Sequence, residues 1–303
     1  MTTAIRVRIR LGIVIVLFLT LVAAALFTPL GLWVGRGAGN LWQGFVNLPG
    51  IALVRQQMES GGKGEQSALA PNTETIHEIL RAAYTLQENE SYEEALRKYR
   101  EALQLDESYA PTHLALAALY LELGRTDEAI TELEEAAQLD PESPVAWGQL
   151  GRLYLQKREF DKAVLALQRA MELDPKESRY RYSLGVAYHY RSYTDAENAV
   201  KELEEAAQLN PKQAEIYYNL GLAYLRRDDL QDEQRAIDAF LKSLELDPDQ
   251  TEVYYYLGRA YFETDQMEAG VAAWRQYVQV SPDVKTVARV REWLREYDSK
   301  AGK

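Results

Sequence analysis

The sequence predicts an all-α solenoid of six helix-turn-helix repeats, preceded by one transmembrane helix and followed by a capping helix. Three observations support this prediction. Small and aromatic residues return at fixed offsets along residues 73–282, and residues 11–34 carry no charged side chain. Prolines recur at intervals of 34, 36, 37 and 34 residues, at Pro141, Pro175, Pro211, Pro248 and Pro282.

The third repeat, residues 144–177, gives the physical reason for each recurring residue type. Gly151 and Ala163 are small, as is required where two antiparallel helices approach closely. Pro175 cannot continue a helix, so it ends the second helix of the repeat. Large apolar side chains fill the space between the two helices: Trp147, Leu150, Tyr154 and Leu167.

Two helix starts are predicted from capping residues. Ser143 supplies an N-cap before Pro144, which suits the first helical turn. Thr75 with Glu78 has the spacing of a capping box, which predicts that the first repeat helix opens there.

This pattern resembles the tetratricopeptide repeat (TPR), a 34-residue helix-turn-helix whose copies stack into a right-handed superhelix. The resemblance covers about two thirds of the chain. Six repeats are predicted, at residues 76–109, 110–143, 144–177, 178–213, 214–250 and 251–284.

Some repeats depart from the pattern. Glu107 replaces the proline of the first repeat, the fourth has two extra residues around Tyr193 and Thr194, and the fifth has three within residues 226–235. After the repeats, residues 283–303 are predicted as a capping helix and tail. Its predicted apolar side is Val284, Val287, Ala288, Leu294 and Tyr297.

Residues 11–34 are predicted to form a transmembrane helix, because 24 uncharged residues span about 36 Å as a helix. Residues 1–10 carry Arg6, Arg8 and Arg10, whereas Arg36 alone follows closely. The positive-inside rule therefore predicts a single-pass protein with a short cytoplasmic N-terminus. Its repeats would lie on the extracytoplasmic, periplasmic side.

Residues 23–25, Ala-Ala-Ala, offer an alternative, since a signal peptidase could cut there; the apolar run is longer than an ordinary signal peptide. Residues 35–72 are predicted as a juxtamembrane segment and flexible linker. Within them, residues 41–58 fit either an interfacial element or a partly ordered linker.

Charge and composition exclude several functions. Residues 72–303 carry 28 basic and 44 acidic side chains, a net charge of −16, which disfavours nucleic-acid binding. The chain has no cysteine. His77, His113 and His189 are widely separated and lack metal-ligand spacing. The paired acids 134–135 and 204–205 suit a solvated helix face, so we predict no enzyme, no metal and no cofactor.

The TPR resemblance implies a concave groove, lined by the first helix of each repeat, that binds a protein or peptide partner. By position in the repeat, the implied groove residues are Tyr84, Leu114, Arg152, Arg179, Tyr182, Tyr218, Asn219, Leu222, Tyr255 and Arg259. In repeats four to six only Asn219 matches the two-carboxylate clamp with which some TPR domains bind chaperone C-termini. Such a clamp is therefore not expected.

Tyr182, Tyr218 and Tyr255 share one position in successive repeats, which predicts a tyrosine ladder. The ladder could bind the partner or only stack between neighbouring first helices. Arg152 and Arg179 are predicted as the uncompensated positive region, because acids partly cancel Arg226 and Arg259. The expected ligand is a peptide or helix with apolar anchors and a carboxylate.

These inferences predict a membrane-anchored scaffold or assembly factor. Two alternatives stay open: a cytosol-facing receptor or co-chaperone, which needs the opposite topology, and a regulatory subunit of an enzyme on another chain. The sequence makes no prediction about homo-oligomerisation.

Overall fold

The computed structural model describes residues 71–227 and 232–300, which form helices and turns only. The helices are α1 (Pro71–Glu88), α2 (Tyr92–Leu105), α3 (Ala110–Glu122), α4 (Thr126–Leu139), α5 (Pro144–Gln156), α6 (Phe160–Leu173), α7 (Ser178–Arg191), α8 (Ala196–Leu209), α9 (Ala214–Arg227), α10 (Asp232–Leu246), α11 (Thr251–Glu263), α12 (Met267–Val280) and α13 (Val284–Lys300).

Helices α1 to α12 form six consecutive pairs, and α13 packs after the last pair. Each second helix also contacts the first helix of the next repeat, so every repeat is held between its neighbours. The first helices of repeats three to six contact one another directly, from α5 to α7, α7 to α9 and α9 to α11. The predicted solenoid of six repeats is confirmed.

Glycines in the first helices allow the two helices of a repeat to approach closely. A Cβ atom on Gly221 would lie 2.5 Å from the ring of Phe240, which is fully buried on the second helix. A Cβ on Gly185 would lie 2.6 Å from Leu203 in the same way. The predicted role of the small residues is therefore confirmed, because a larger side chain has no room there.

The two predicted helix starts have different outcomes. Ser143 caps α5 as predicted: its hydroxyl accepts a hydrogen bond from the backbone N–H of Ala146 at 3.4 Å, and Pro144 begins the helix. The predicted capping box is wrong, because α1 begins at Pro71 and Thr75 lies in its second turn. The 18-residue helix α1 extends the repeat pattern by about one turn.

In each of the two repeats with a lengthened turn, an ion pair between arginine and aspartate joins the ends of the two helices. In repeat four a short 3-10 helix, Tyr193–Asp195, absorbs the extra residues, and Arg191 donates two hydrogen bonds to Asp195 at 2.7 and 2.8 Å. In repeat five Arg227 donates to the buried carboxylate of Asp232 at 2.7 Å. Both arginines therefore close the turn between the two helices of their repeat.

Recurring polar contacts join neighbouring repeats. The signature tyrosine of a first helix hydrogen-bonds to the preceding second helix in three pairs: Tyr154 with Glu134, Tyr188 with Gln168, and Tyr224 with Glu204. An exposed ion pair joins the same elements in three pairs: Lys157 with Asp127, Arg191 with Asp161, and Arg227 with Glu197. The carboxylates Glu134 and Glu204 therefore serve the junctions between repeats.

Helix α13 covers the open end of repeat six. Val287, Val290 and Leu294 are buried against Val271 and Tyr277 of α12, in a cluster that also includes Trp274 and Trp293. The capping helix is therefore present, but part of its predicted apolar side is wrong. Val284 is 78% exposed and Ala288 is exposed, so neither packs on repeat six. Val290 and Trp293 make the apolar contacts that were predicted for Val284 and Ala288.

Among the described helices, none combines the length and the apolar character needed to cross a membrane. The predicted transmembrane helix, residues 11–34, lies outside the described residues. The same holds for the predicted juxtamembrane segment and for nearly all of the linker up to residue 72.

Candidate partner-binding site

The first-helix face consists of the side chains that α1, α3, α5, α7, α9 and α11 carry at the positions implied by the repeat pattern. On the N-terminal repeats it holds Tyr84, which is half-buried, and Leu114, which is buried. On repeats four to six the same face is mainly aromatic. The structure therefore places the predicted residues on the first helices, with their larger rings in the C-terminal half.

Tyr182 and Asn219 connect repeats four and five on this face. The side-chain amide of Asn219 donates a hydrogen bond to the Tyr182 hydroxyl at 3.2 Å and another to the backbone carbonyl of Glu215 at 2.9 Å. Tyr182 is only 8% exposed, and burial raises its pKa. The Asn219 amide is thus held in a fixed orientation between two adjacent first helices.

Tyr218 continues the aromatic surface toward repeat six. Its ring centroid lies 6.1 Å from that of Tyr256 and 6.3 Å from that of Phe240. Burial raises the pKa of Tyr218 well above its usual value, so its hydroxyl stays protonated. Tyr218 therefore contacts both the core of its own repeat and the first-helix face of the next.

Tyr255 takes a different place from the one that the ladder prediction assumes. Its ring stacks on Trp274 at 5.9 Å and lies 5.4 Å from Tyr277, both on the second helix of its repeat. The ring that meets Tyr218 is that of Tyr256, one residue later. Tyr255 therefore packs mainly within its own repeat, which differs both from the predicted ladder and from stacking between neighbouring first helices.

Arg152 lies half-buried beside the aromatic part of the face. Burial lowers its pKa to about 10, and the nearby charge of Arg179 adds to this effect. Arg179 is itself neutralised, because it donates hydrogen bonds to both carboxylate oxygens of Glu177 at 3.0 and 2.8 Å. The predicted uncompensated Arg152–Arg179 pair is therefore wrong, because Glu177 compensates the charge of Arg179.

Three further residues complete the face on repeats five and six. Leu222 is half-buried on α9, and Arg259 lies 3.6 Å from the carboxylate of Glu263. Arg226 behaves differently, since within residues 71–227 and 232–300 it forms no ion pair. Its guanidinium lies over the ring of Tyr193 at 3.9 Å, and its buried Nε has no hydrogen-bond partner.

The repeat positions did not identify Tyr180 as part of this face. A Cβ atom on Gly148 would overlap the Tyr180 ring, so the ring fills the space above the glycine of the preceding repeat. The signal was present in the sequence, because Gly148 stands at a position where the later repeats carry tyrosine. A gap in one repeat calls for a large side chain from its neighbour.

The three histidines have different surroundings. His77 Nε2 lies 2.7 Å from the Tyr109 hydroxyl. His113 Nδ1 lies 2.7 Å from Glu132, and this hydrogen bond raises the His113 pKa. His189 is largely buried, its Nδ1 has no partner, and burial lowers its pKa to about 4. Among the residues that the structure describes, no group of three or more His, Asp or Glu side chains is suited to hold a metal ion.

We expect acid to destabilise the protein through His189. Its imidazole is protonated in the unfolded chain below about pH 6.5 but stays neutral in the folded protein until about pH 4. Its contribution to stability is therefore present above pH 6.5 and is lost as the pH falls toward 4. At about 1.4 kcal/mol for each pKa unit, the loss is about 3 kcal/mol.

Urea unfolding of the full chain in detergent between about pH 7 and about pH 4.5 measures this loss, with His189→Gln as comparison. The difference in unfolding free energy between the natural protein and His189→Gln should become smaller as the pH falls. His113→Gln is the control, because the raised His113 pKa stabilises the fold at low pH and loses that effect as the pH rises. An unchanged difference for His189→Gln would contradict the assignment.

Models of known protein families match the repeats. Models described as "Tetratricopeptide repeat" match residues 86–134, 124–185, 214–250 and 239–272, and one described as "TPR repeat" matches residues 195–227. Together they span more than half of the chain. No curated protein matches the sequence.

Solved structures with the same fold share little sequence with this chain. PilF of Pseudomonas aeruginosa aligns with a TM-score of 0.59 and 16% identity, covering 73% of this chain and 98% of its own. YrrB, described as a TPR protein with an unusual peptide-binding site, aligns with a TM-score of 0.56 and 18% identity, covering 64% of this chain and 97% of its own. MamA of Desulfovibrio magneticus RS-1 aligns with a TM-score of 0.52 and 22% identity, covering 56% of this chain and 94% of its own. At these identities the likeness establishes the fold alone.

Proposed function

Because the chain carries tetratricopeptide repeats over more than half of its length, we propose that it is an interaction scaffold whose first-helix face binds a segment of another protein. The observation that carries this proposal is the series of Tyr182, Tyr218 and Tyr256 on three consecutive first helices. Tyrosine suits such a site, since its ring brings a large contact area at low entropic cost and its hydroxyl stays satisfied in water.

The partner segment is expected to carry apolar anchors and at least one carboxylate. Leu222 and the half-buried rings of Tyr218 and Tyr256 supply apolar contact area along the face. Arg152 is protonated at neutral pH even though its pKa is lowered to about 10. A half-buried guanidinium among aromatic rings binds a carboxylate more strongly than one in open water, because fewer water molecules compete.

Site-specific photo-crosslinking in cells tests this proposal. A photoreactive amino acid at Leu222 lies on the first-helix face, whereas the same residue at Leu165, on second helix α6 and 69% exposed, is the matched control. A discrete crosslinked protein from position 222 and none from position 165 supports the proposal. Equal crosslinking from both positions, or none from 222, contradicts it.

Replacing Tyr218 with alanine is expected to weaken partner binding by about 1–3 kcal/mol, because the ring is a central anchor of the face. Tyr217→Ala is the matched control, since its hydroxyl donates a hydrogen bond to the backbone carbonyl of Pro211 at 3.3 Å and the residue is not part of the Tyr182, Tyr218 and Tyr256 series. Affinity for the crosslinked partner and melting temperature are measured together. A lowered melting temperature with unchanged affinity would assign Tyr218 to the core alone.

We further propose that residues 11–34 anchor the scaffold in a membrane, with the repeats outside the cytoplasm. The uncharged run of 24 residues and the preceding Arg6, Arg8 and Arg10 support this topology. Protease added to intact spheroplasts is expected to remove residues 73–303. Repeats that stay protected until the membrane is lysed would contradict the orientation, and repeats found in the soluble fraction would contradict the anchor.

A further inference from the structure

A second group of side chains lies where the first helices of repeats three to five lead into their turns. We call it the edge cluster. It consists of Arg158, Phe160, His189, Tyr190, Tyr193 and Arg226.

The aromatic members of the edge cluster form a partly exposed wall. Phe160 and Tyr190 stack with their centroids 5.9 Å apart and their planes at 17°, and His189 meets Tyr190 edge to face at 4.9 Å. Tyr190 is nevertheless 43% exposed, and Tyr193 is 76% exposed. Large rings held in place and open to solvent are typical of interaction surfaces.

Two arginines flank this wall. The charge of Arg226 helps to lower the pKa of Asp195, but that carboxylate is already hydrogen-bonded to Arg191. Within residues 71–227 and 232–300, neither Arg158 nor Arg226 forms an ion pair. Arg226 lies over Tyr193 at 3.9 Å, and Arg158 lies 5.9 Å from the centroid of Phe160. Burial raises the pKa of Tyr190, and the positive charges of Arg158 and Arg226 both act to lower it. Both guanidinium groups therefore lie near the Tyr190 ring.

The adjacent arginines show that the fold supplies carboxylates where an arginine has a structural role. Arg191 is neutralised by Asp195, and Arg227 by Asp232 and Glu197. Arg226 stands next to Arg227 in the last turn of α9, where the helix dipole favours a positive charge. The dipole does not explain why the Arg226 Nε is buried without an acceptor.

Two buried polar atoms of the cluster have no hydrogen-bond partner among the residues that the structure describes: Nε of Arg226 and Nδ1 of His189. A buried polar atom without a partner costs free energy, so native proteins rarely leave one unsatisfied. The His189 ring is neutral, because burial lowers its pKa to about 4. It can therefore accept or donate one hydrogen bond without adding charge to the site.

We propose that the edge cluster binds an aspartate or glutamate side chain of the partner segment, one that stands beside an aromatic or aliphatic side chain. The carboxylate would lie between Arg158 and Arg226, and the apolar neighbour would lie against Tyr190. This inference deepens the proposed function and rests on it. The edge-cluster carboxylate is additional to the one proposed at Arg152. Arg179 takes part in neither contact, because Glu177 already neutralises it.

The charge of the repeats makes this contact selective. Residues 72–303 carry a net charge of −16, which repels an acidic segment over most of the surface. An acidic segment gains from contact only where arginines lack a carboxylate of the chain. The edge cluster therefore fixes the position of the partner along the face as well as adding affinity.

The test selects peptides from a random library with amidated C-termini, against the full chain in detergent micelles. The amide removes the terminal carboxylate, so only Asp and Glu side chains can supply one. Three proteins are compared: the natural chain, Arg158→Gln/Arg226→Gln, and Arg100→Gln/Lys201→Gln. The last loses the same charge from exposed sites on second helices.

The natural chain and the control are expected to enrich peptides in which Asp or Glu adjoins an apolar residue. Such a peptide should bind Arg158→Gln/Arg226→Gln at least about tenfold more weakly, the effect of losing a charged hydrogen-bond donor. Arg158→Lys/Arg226→Lys, which keeps the charges, should recover part of the loss. This second variant keeps the test valid if the glutamine variant melts at a lower temperature.

Two outcomes overturn the inference while leaving the proposed function intact. One is enrichment of peptides without Asp or Glu by the natural chain. The other is equal binding of acidic peptides by the natural chain and both arginine variants. If the natural chain enriches no peptide at all, the result counts against the proposed function and against this inference with it.

Discussion

Replacing Phe240 with alanine is expected to lower the free energy of unfolding by about 3–5 kcal/mol, the range typical of a fully buried phenylalanine. The ring has no exposed surface and fills the space above Gly221, where the two helices of repeat five approach. It also contacts the rings of Tyr218 and Tyr256, at 6.3 Å from each. Its loss leaves a cavity that helices α9 and α10 cannot close without moving.

Leu241→Ala is the matched control for Phe240→Ala, because it removes a large apolar side chain from the next position of α10, where the residue is 45% exposed. Urea unfolding of the full chain should show a much smaller change for this variant. Similar losses for the two variants would mean that helix α10 does not pack on α9 as described.

Deleting residues 283–303 is expected to destabilise repeat six by about 5 kcal/mol and to cause aggregation. The deletion removes three buried residues of α13, of which a buried leucine alone typically costs about 2–5 kcal/mol when lost, together with the partly buried Trp293. It also exposes Trp274 and Tyr277 of α12. Melting temperature and light scattering of the truncated chain measure the two effects.

Two substitutions separate the cap from a general effect of truncation. Leu294→Asp places a charge in the buried contact of α13, whereas Val284→Asp makes the same change where the side chain is 78% exposed. Only Leu294→Asp should lower the melting temperature and increase light scattering as the deletion does. A truncated chain as soluble and as heat-stable as the full chain would show that α13 is dispensable for the fold.

The sequence was sufficient to predict the fold because the repeat places the same steric requirement at each step. Gly151, Gly185, Gly221 and Gly258 all stand where a side chain of the second helix fills the gap, so their recurrence defines the helix pairs. The start of α1 was missed for a local reason. Thr75 and Glu78 have the spacing of a cap, but the helix continues back to Pro71.

The candidate site was predicted less completely, because position in a repeat fixes the helix that carries a side chain but not the neighbours it meets. Tyr255 and Tyr256 are adjacent, and only contacts with Trp274 and Tyr218 distinguish which ring joins the first-helix face. The pairing of Arg179 with Glu177 arises because Glu177 is the N-cap just before α7, since residues two apart within a helix do not face each other. The lack of an ion pair at Arg226 within the described residues could not be predicted, because it depends on Asp195 and Asp232 pairing with Arg191 and Arg227 instead.

The exposed ion pairs that join Lys157 with Asp127, Arg191 with Asp161, and Arg227 with Glu197 have a consequence for how the repeats move together. Each contributes at most about 1 kcal/mol, and salt weakens it. Yet each ion pair contributes to the interface between two neighbouring repeats. In a solenoid the strength of these interfaces decides whether repeats unfold singly or as one unit. Higher ionic strength is therefore expected to weaken the coupling between neighbouring repeats, so that they unfold less cooperatively.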